Sequence, residues 1–265
     1  MSFKKYATIS LLASLTSSAP NPDYKPIFHE INPKIILKQL TQKQIQEQKR
    51  DEIEYSKHKY KNTTYHIIKI DNNKNTSINI TSTNTPKYLE EIIHENNRQS
   101  DKEIIAAING SFLRDGKTIG LVQTNGEELS PNQRIRGSGY FTVKDDNVKI
   151  LRELCDTTKY DEILQSFPLL IYDNEKMRVE NERKSYRAAI AKDTEKNLYF
   201  IITETNPFRR NTITLIEFTE FLKTQNYTKA LNLDGGRSAQ MHFNNYNIRN
   251  HRRINNAITI SRRNK

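Results

Sequence analysis

The chain of 265 residues contains no tryptophan, one cysteine, and only eight glycines and eight prolines. It also has no apolar stretch long enough to span a bilayer as a helix. The lone Cys155 excludes an internal disulfide and any zinc site built from cysteine pairs. Six histidines (His29, His58, His66, His94, His242 and His251) lack the helical spacing that sets two ligands on one face, so each reads as a surface or packing residue. Acidic residues are in deficit, 31 against 42 lysines and arginines, which leaves a formal charge of +11. That imbalance favours anionic partners: phosphate esters, acidic glycans, lipid headgroups or nucleic acid. The basic residues are scattered rather than blocked, and neither an RNA-binding aromatic motif nor a helix-turn-helix signature accompanies them, which disfavours nucleic acid.

What is present suffices for one main domain, since 35% of the residues are hydrophobic. Residues 1–20 carry Lys4 and Lys5, a modest apolar stretch and then small residues, the order of a signal for export to the periplasm or medium; without its use the chain stays cytoplasmic. Residues 21–59 read as an N-terminal helical extension, and residues 60–265 as the main domain. Within it, residues 63–83 suggest a hairpin turning at residues 72–74. "TPKYLEEIIHENN" suggests a helix with Pro86 near its start and Leu89, Ile92 and Ile93 buried. "EIIAAING" reads as a buried strand, Asn125-Gly126 as a tight turn, and "YDEILQSFPLLIYDN" as a short helical piece followed by an extended run. "YRAAIAKDTEKNLYFIITET" resembles a hairpin. "TLIEFTEFLKTQNY" is a helix capped by Thr214 and Glu217, with Leu215, Phe218 and Leu222 on one face, and "NNAITISRR" a closing strand. The expected class is α+β: a mixed, largely antiparallel sheet with packed helices.

The segment "ALNLDGGRSAQM" carries the densest chemistry. Alternating Leu231 and Leu233 imply a strand that delivers Asp234 to its end. Gly235 and Gly236 permit positive φ and close backbone approach, so their N–H groups can form an anion-binding nest, with Arg237 and Ser238 alongside. As a purely structural feature the same residues are a strand-end turn with an incidental arginine. "AAINGSFL" repeats the theme with Asn109, Gly110 and Ser111, whose amide and hydroxyl can orient a substrate or merely close a turn. Arg187, among small and apolar residues, needs an anion from Asp234, Glu204 or a ligand.

Taken in order, Asn109-Gly110, Gln165-Ser166 with Pro168, Arg187 in "RAAIA", the capped helix and "ALNLDGGRSAQM" resemble the phosphodiester glycosidase family over roughly residues 65–261. This is the catalytic-domain family of N-acetylglucosamine-1-phosphodiester α-N-acetylglucosaminidase and of many exported bacterial proteins. The resemblance implies a hydrolase that cleaves between a sugar's anomeric carbon and a phosphodiester oxygen, with an N-acetylglucosamine-type sugar. It carries over Asn109, Gly110, Gln165, Arg187, Asp234, Gly235, Gly236 and Ser238. The chain departs from the family pattern at Ser111, Arg237 and Ala239, and at Ala191 where glycine is common.

Under this reading Asp234 is nucleophile, base or cation ligand, while Arg187 and Arg237 neutralise phosphate. Asn109 and Gln165 hold sugar hydroxyls or an acetamido group. Glycosidases ordinarily use two carboxylates, so Glu204 is the expected second, with Asp115 behind it. The reading fixes no cofactor and leaves room for a calcium or magnesium ion. The alternatives are a non-catalytic envelope glycan or glycosyl-phosphate binder of the same fold and, at lower weight, a nucleic-acid binder.

Overall fold

The computed structural model describes residues 53–71, 76–100, 102–180, 182–204, 212–244 and 246–262. Residues 51–265 cluster as one compact unit. The expected export signal and residues 21–52 of the extension lie outside the described residues. Its last part, from Ile53, forms the strand β1 (Ile53–Tyr60) rather than a helix, because it finds a partner along its whole length in β2 (Thr63–Ile70).

Three sheets organise the unit. The largest has seven strands in the order β1, β2, β15 (Leu198–Thr203), β14 (Ala188–Lys192), β16 (Lys229–Asn232), β12 (Leu169–Tyr172) and β13 (Glu175–Lys176). A second runs β18 (Tyr246–Ile248), β17 (Met241–Phe243), β4 (Ile104–Asn109), β19 (Ile254–Arg262) and β3 (Thr76–Lys87). The third runs β10 (Asn147–Leu151), β9 (Gly139–Lys144), β11 (Glu162–Ser166), β7 (Val122–Thr124) and β8 (Glu127–Ser130), and a small hairpin joins β5 (Leu113–Arg114) to β6 (Lys117–Thr118). Every strand pair named here is antiparallel.

The inner faces of the three sheets meet in one core. Ile68, Ile190, Phe200 and Leu231 come from the first, Ile108, Met241 and Ile258 from the second, and Val122, Phe141 and Leu164 from the third. Side chains alternate across a pleated strand, so Ala189, Ala191 and Ile201 face outward, where α2 (Leu215–Thr224) covers them with Leu215, Phe218, Phe221 and Leu222. The expected cap is formed: Glu217 N–H donates to Thr214 Oγ1 at 3.1 Å and Thr214 N–H to Glu217 Oε2 at 2.7 Å. The shorter α1 (Leu89–Gln99) lays Leu89, Ile92 and Ile93 on Ala107, Ile254 and Ala257.

Two helices and a purely antiparallel set of sheets make the described chain mainly β, which corrects the expectation of a mixed α+β fold. The pieces misread explain the difference. Residues 162–166, expected to be partly helical, form β11, buried along its length between β7 and β9. Pro86 lies in β3, two residues short of the α1 N-cap. Residues 63–83 do contain two strands, but β2 pairs with β1 and β15 while β3 pairs with β19, so the expected hairpin is a crossing between sheets. The 193–197 connection and the turn at Asn125 (φ 50°) and Gly126 (φ 82°) stand as read.

Candidate active site

Asp234 lies two residues beyond β16 and is 7% exposed. Its backbone is clamped by β4: Asp234 N–H donates to the Gly110 carbonyl at 3.1 Å, and Asn109 Nδ2 donates to the Asp234 carbonyl at 2.7 Å. Asn109 Oδ1 accepts the Gln240 N–H at 3.0 Å, so the two ends of the buried amide hold the chain on either side of the glycine turn. Gly110 has a steric reason to be glycine, because a Cβ there would stand 2.0 Å from Asn256 Oδ1. That same Oδ1 accepts the Ser111 N–H at 2.8 Å, with the Ser111 hydroxyl 3.2 Å away.

The turn that follows is pressed against the segment preceding β14. A Cβ on Gly235 would lie 2.6 Å from the Tyr186 carbonyl oxygen, and Gly236 (φ 60°) donates its N–H to that oxygen at 2.8 Å. The Gly236 N–H is therefore a structural donor rather than part of an open anion nest. Asn250 Nδ2 donates to the Gly236 carbonyl at 2.7 Å. Arg237 is exposed, whereas Ser238 is fully buried.

A cleft of about 460 Å³ opens over this junction. Phe112, Tyr186, Asp234 and the two glycines line it together with Arg183, Lys184, Arg187, Arg237 and Arg252. Phe112 is stacked on Phe167 with ring centroids 4.2 Å apart. Arg187 is buried, and its guanidinium donates to two carbonyls, from Nε to Ile213 at 3.2 Å and from Nη2 to Arg183 at 2.5 Å. Among the described residues no carboxylate lies in ion-pairing distance of it; burial, then the nearby Arg183 charge, lower its pKa to about 10.

Asp234 is the one acidic side chain lining the cleft among the described residues. Desolvation raises its pKa to about 6, with the Ser238 hydroxyl, the Arg252 charge and the Gly235 N–H pulling the other way. Ser238 Oγ and Asp234 Oδ2 are both buried without a hydrogen-bond partner of regular geometry. An unpaired buried oxygen costs on the order of 1–3 kcal/mol.

Several residues expected at the site lie elsewhere. Gln165 is fully buried in the third sheet, where Oε1 accepts from Leu121 and Gln133 N–H groups and Nε2 donates to the Gln133 carbonyl and Ser138 hydroxyl. Glu204 is not in the cleft: Arg187 is aligned with Thr203, and one further residue carries Glu204 to the inner face of the sheet. There Glu204 meets Lys57 at 2.9 Å and His66 Nε2 at 3.9 Å. His66 is buried and its pKa is lowered to about 4, mainly by desolvation, with Tyr55 Oη 2.6 Å from its Nδ1. Asp115, at φ 51°, lies at the tip of the β5–β6 hairpin and lines a different groove. Arg183, Lys184 and Arg252 were not anticipated. Arg252 was legible only as part of the basic run "RNHRR", while Asn256 was a polar residue in an otherwise apolar closing strand.

A model of the phosphodiester glycosidase family matches residues 102–261. Among solved structures, the fold is similar to a hypothetical protein from Synechocystis, with a TM-score of 0.66 and 13% identity over 80% of this chain and 62% of that one. It is also similar to the catalytic domain of zebrafish N-acetylglucosamine-1-phosphodiester α-N-acetylglucosaminidase, described as auto-inhibited by its pro-peptide, with a TM-score of 0.60 and 17% identity over 80% of this chain and 82% of that one. No curated protein sequence matches the chain.

Proposed function

We propose, from the premise that this chain belongs to the phosphodiester glycosidase family, that it hydrolyses the glycosidic bond of a sugar-1-phosphodiester, with an N-acetylglucosamine-type sugar. The observation that carries the reading is a single buried carboxylate with a raised pKa on the floor of a cleft otherwise rich in cations. A pKa of about 6 suits a base that works near neutrality. Ionised Asp234 accepts a proton from water as the water oxygen bonds to the anomeric carbon. The carbon–oxygen bond to phosphate breaks, and the phosphate leaves with the bonding electrons. A phosphate monoester is a good leaving group, so this reaction demands less from a second, acidic carboxylate than ordinary glycoside hydrolysis does.

Arg187, held by two carbonyls, and Arg237 supply charge where the leaving phosphate develops its negative charge. Asn109, Gly110, Gly235 and Gly236 act as positioning residues that fix Asp234. A calcium or magnesium ion takes six or more oxygen ligands, and one carboxylate beside five basic residues fits that requirement poorly; no step here is routed through a cation.

The test is release of free sugar from a panel of sugar-1-phosphodiesters by the native protein and by Asp234→Asn, with and without calcium or magnesium. Turnover by the native protein alone is expected. Equal turnover by the variant removes Asp234 from the chemistry. Binding without release from any member of the panel favours a glycosyl-phosphate binder, the reading that the departures at Ser111, Arg237 and Ala239 motivate. Ser111 weakens that motive, since Asn256 accounts for both its N–H and its hydroxyl.

A further inference from the structure

Among the described residues ten ion pairs join lysines and arginines to carboxylates. Other basic residues, such as Arg114, Arg134 and Arg152, are in none of these pairs, but the cleft gathers several such residues in one place. Lys184, Arg187, Arg237 and Arg252 all line it, and none of them is in an ion pair with a described residue. Arg183 lines it too, so five cationic side chains face one carboxylate. A phosphodiester carries a single negative charge, which Arg187 and Arg237 suffice to meet. Converging like charges repel one another, and that cost is recovered when an anion of matching charge arrives.

The five are also graded in depth. Arg187 is buried at the base, while Arg183 and Lys184, three to four residues earlier on the same segment, are exposed at the rim. That segment is anchored rather than loose: Ser185 exchanges two backbone hydrogen bonds with Ile213, at 2.9 and 3.0 Å, and Tyr186 receives the Gly236 N–H. A deep cation and a rim pair on one anchored segment form a ladder for an elongated anion.

We infer that the substrate carries at least one further phosphate beyond the one attached to the anomeric carbon, and that Arg183 and Lys184 bind it. The shared chemistry is a second phosphate on the leaving-group side, present either in a glycosyl pyrophosphate or in a chain of repeated sugar phosphodiesters. This inference rests on the proposed reaction for its substrate, but its first test does not.

Calorimetry on Asp234→Asn, titrated with inorganic pyrophosphate and separately with inorganic phosphate, is expected to give at least tenfold tighter binding of pyrophosphate. Lys184→Gln and Arg183→Gln are expected to shrink that preference to less than threefold. Equal affinity for the two anions, or a preference untouched by both rim substitutions, overturns the inference whether or not turnover is found. With active protein, the arms are the methyl ester of N-acetylglucosamine-1-phosphate, UDP-N-acetylglucosamine, and an oligomer of N-acetylglucosamine-1-phosphate. Lys184→Gln is expected to raise KM about tenfold on whichever multiply charged arm is the substrate, with kcat nearly unchanged, and to leave the methyl ester within threefold. An equal loss on all three arms overturns the second-phosphate subsite while leaving the hydrolytic reading intact.

Discussion

Asp234 is held in a place where ionising it costs stability, and that cost is measurable. Its folded-state pKa of about 6 lies above that of a free carboxyl. The folded protein therefore binds the proton more tightly than the unfolded chain, and stability is lost as pH rises from about 4 through 6. Asp234→Asn should be more stable than the native protein at pH 7 by about 3 kcal/mol, with the difference disappearing near pH 4; denaturant melts at the two pH values check this. The same ionisation should make kcat/KM rise with pH through about 6, and a profile flat from pH 5 to 7 would take the base role from Asp234. Gly235→Ala puts a methyl 2.6 Å from the Tyr186 carbonyl, an obstacle of backbone rather than of flexible side chain. It should lower turnover by at least tenfold, because moving Tyr186 also moves Arg187. A melt showing the fold retained would separate this from unfolding.

Among the elements, β4 and β19 fix the site without touching its open face. Asn109→Ala strips both hydrogen bonds from the Asp234 carbonyl and the Gln240 N–H. The expected cost is about 2–4 kcal/mol of stability and a fall in kcat larger than any rise in KM, read from denaturant melts and steady-state kinetics. Much at this scale was legible in the sequence. The capping pattern at Thr214 and Glu217 defined α2, the apolar run before Asn109 defined β4, and Leu231 with Leu233 predicted that Asp234 would follow a strand. What local pattern could not supply was pairing across distance. The amides of Asn109 and Gln165 looked like substrate ligands because nothing nearby in sequence shows that Gln240, Asp234, Leu121 and Gln133 already occupy them. Glu204 looked adjacent to Arg187 because the pleat that sends the two to opposite faces depends on a register visible only after β14 and β15 pair.

For the whole molecule, charge and burial act together on the response to pH. His66, buried with its pKa lowered to about 4, is protonated more readily in the unfolded chain, so its contribution is lost as pH falls from 6.5 towards 4. Asp234 works in the opposite sense over nearly the same range. The two contributions therefore offset one another between pH 4 and 6, so Asp234→Asn should lose more stability than the native protein as pH falls through that window; parallel curves for the two proteins in thermal melts would contradict the opposition. No helix among the described residues is long and apolar enough to cross a membrane. Pairing remote in sequence defines the second sheet, where β19 lies between β3 and β4, so that neither of the earlier strands pairs with the other. A ribosome delivers β3 and β4 long before β19 exists. Until β19 emerges, the edges of β3 and β4 stand open, Asn256 is not yet there to seat Gly110, and Arg252 is missing from the cleft. A chain in which β19 has not yet docked thus has neither a closed second sheet nor a complete pocket, so core and site are finished by the same event.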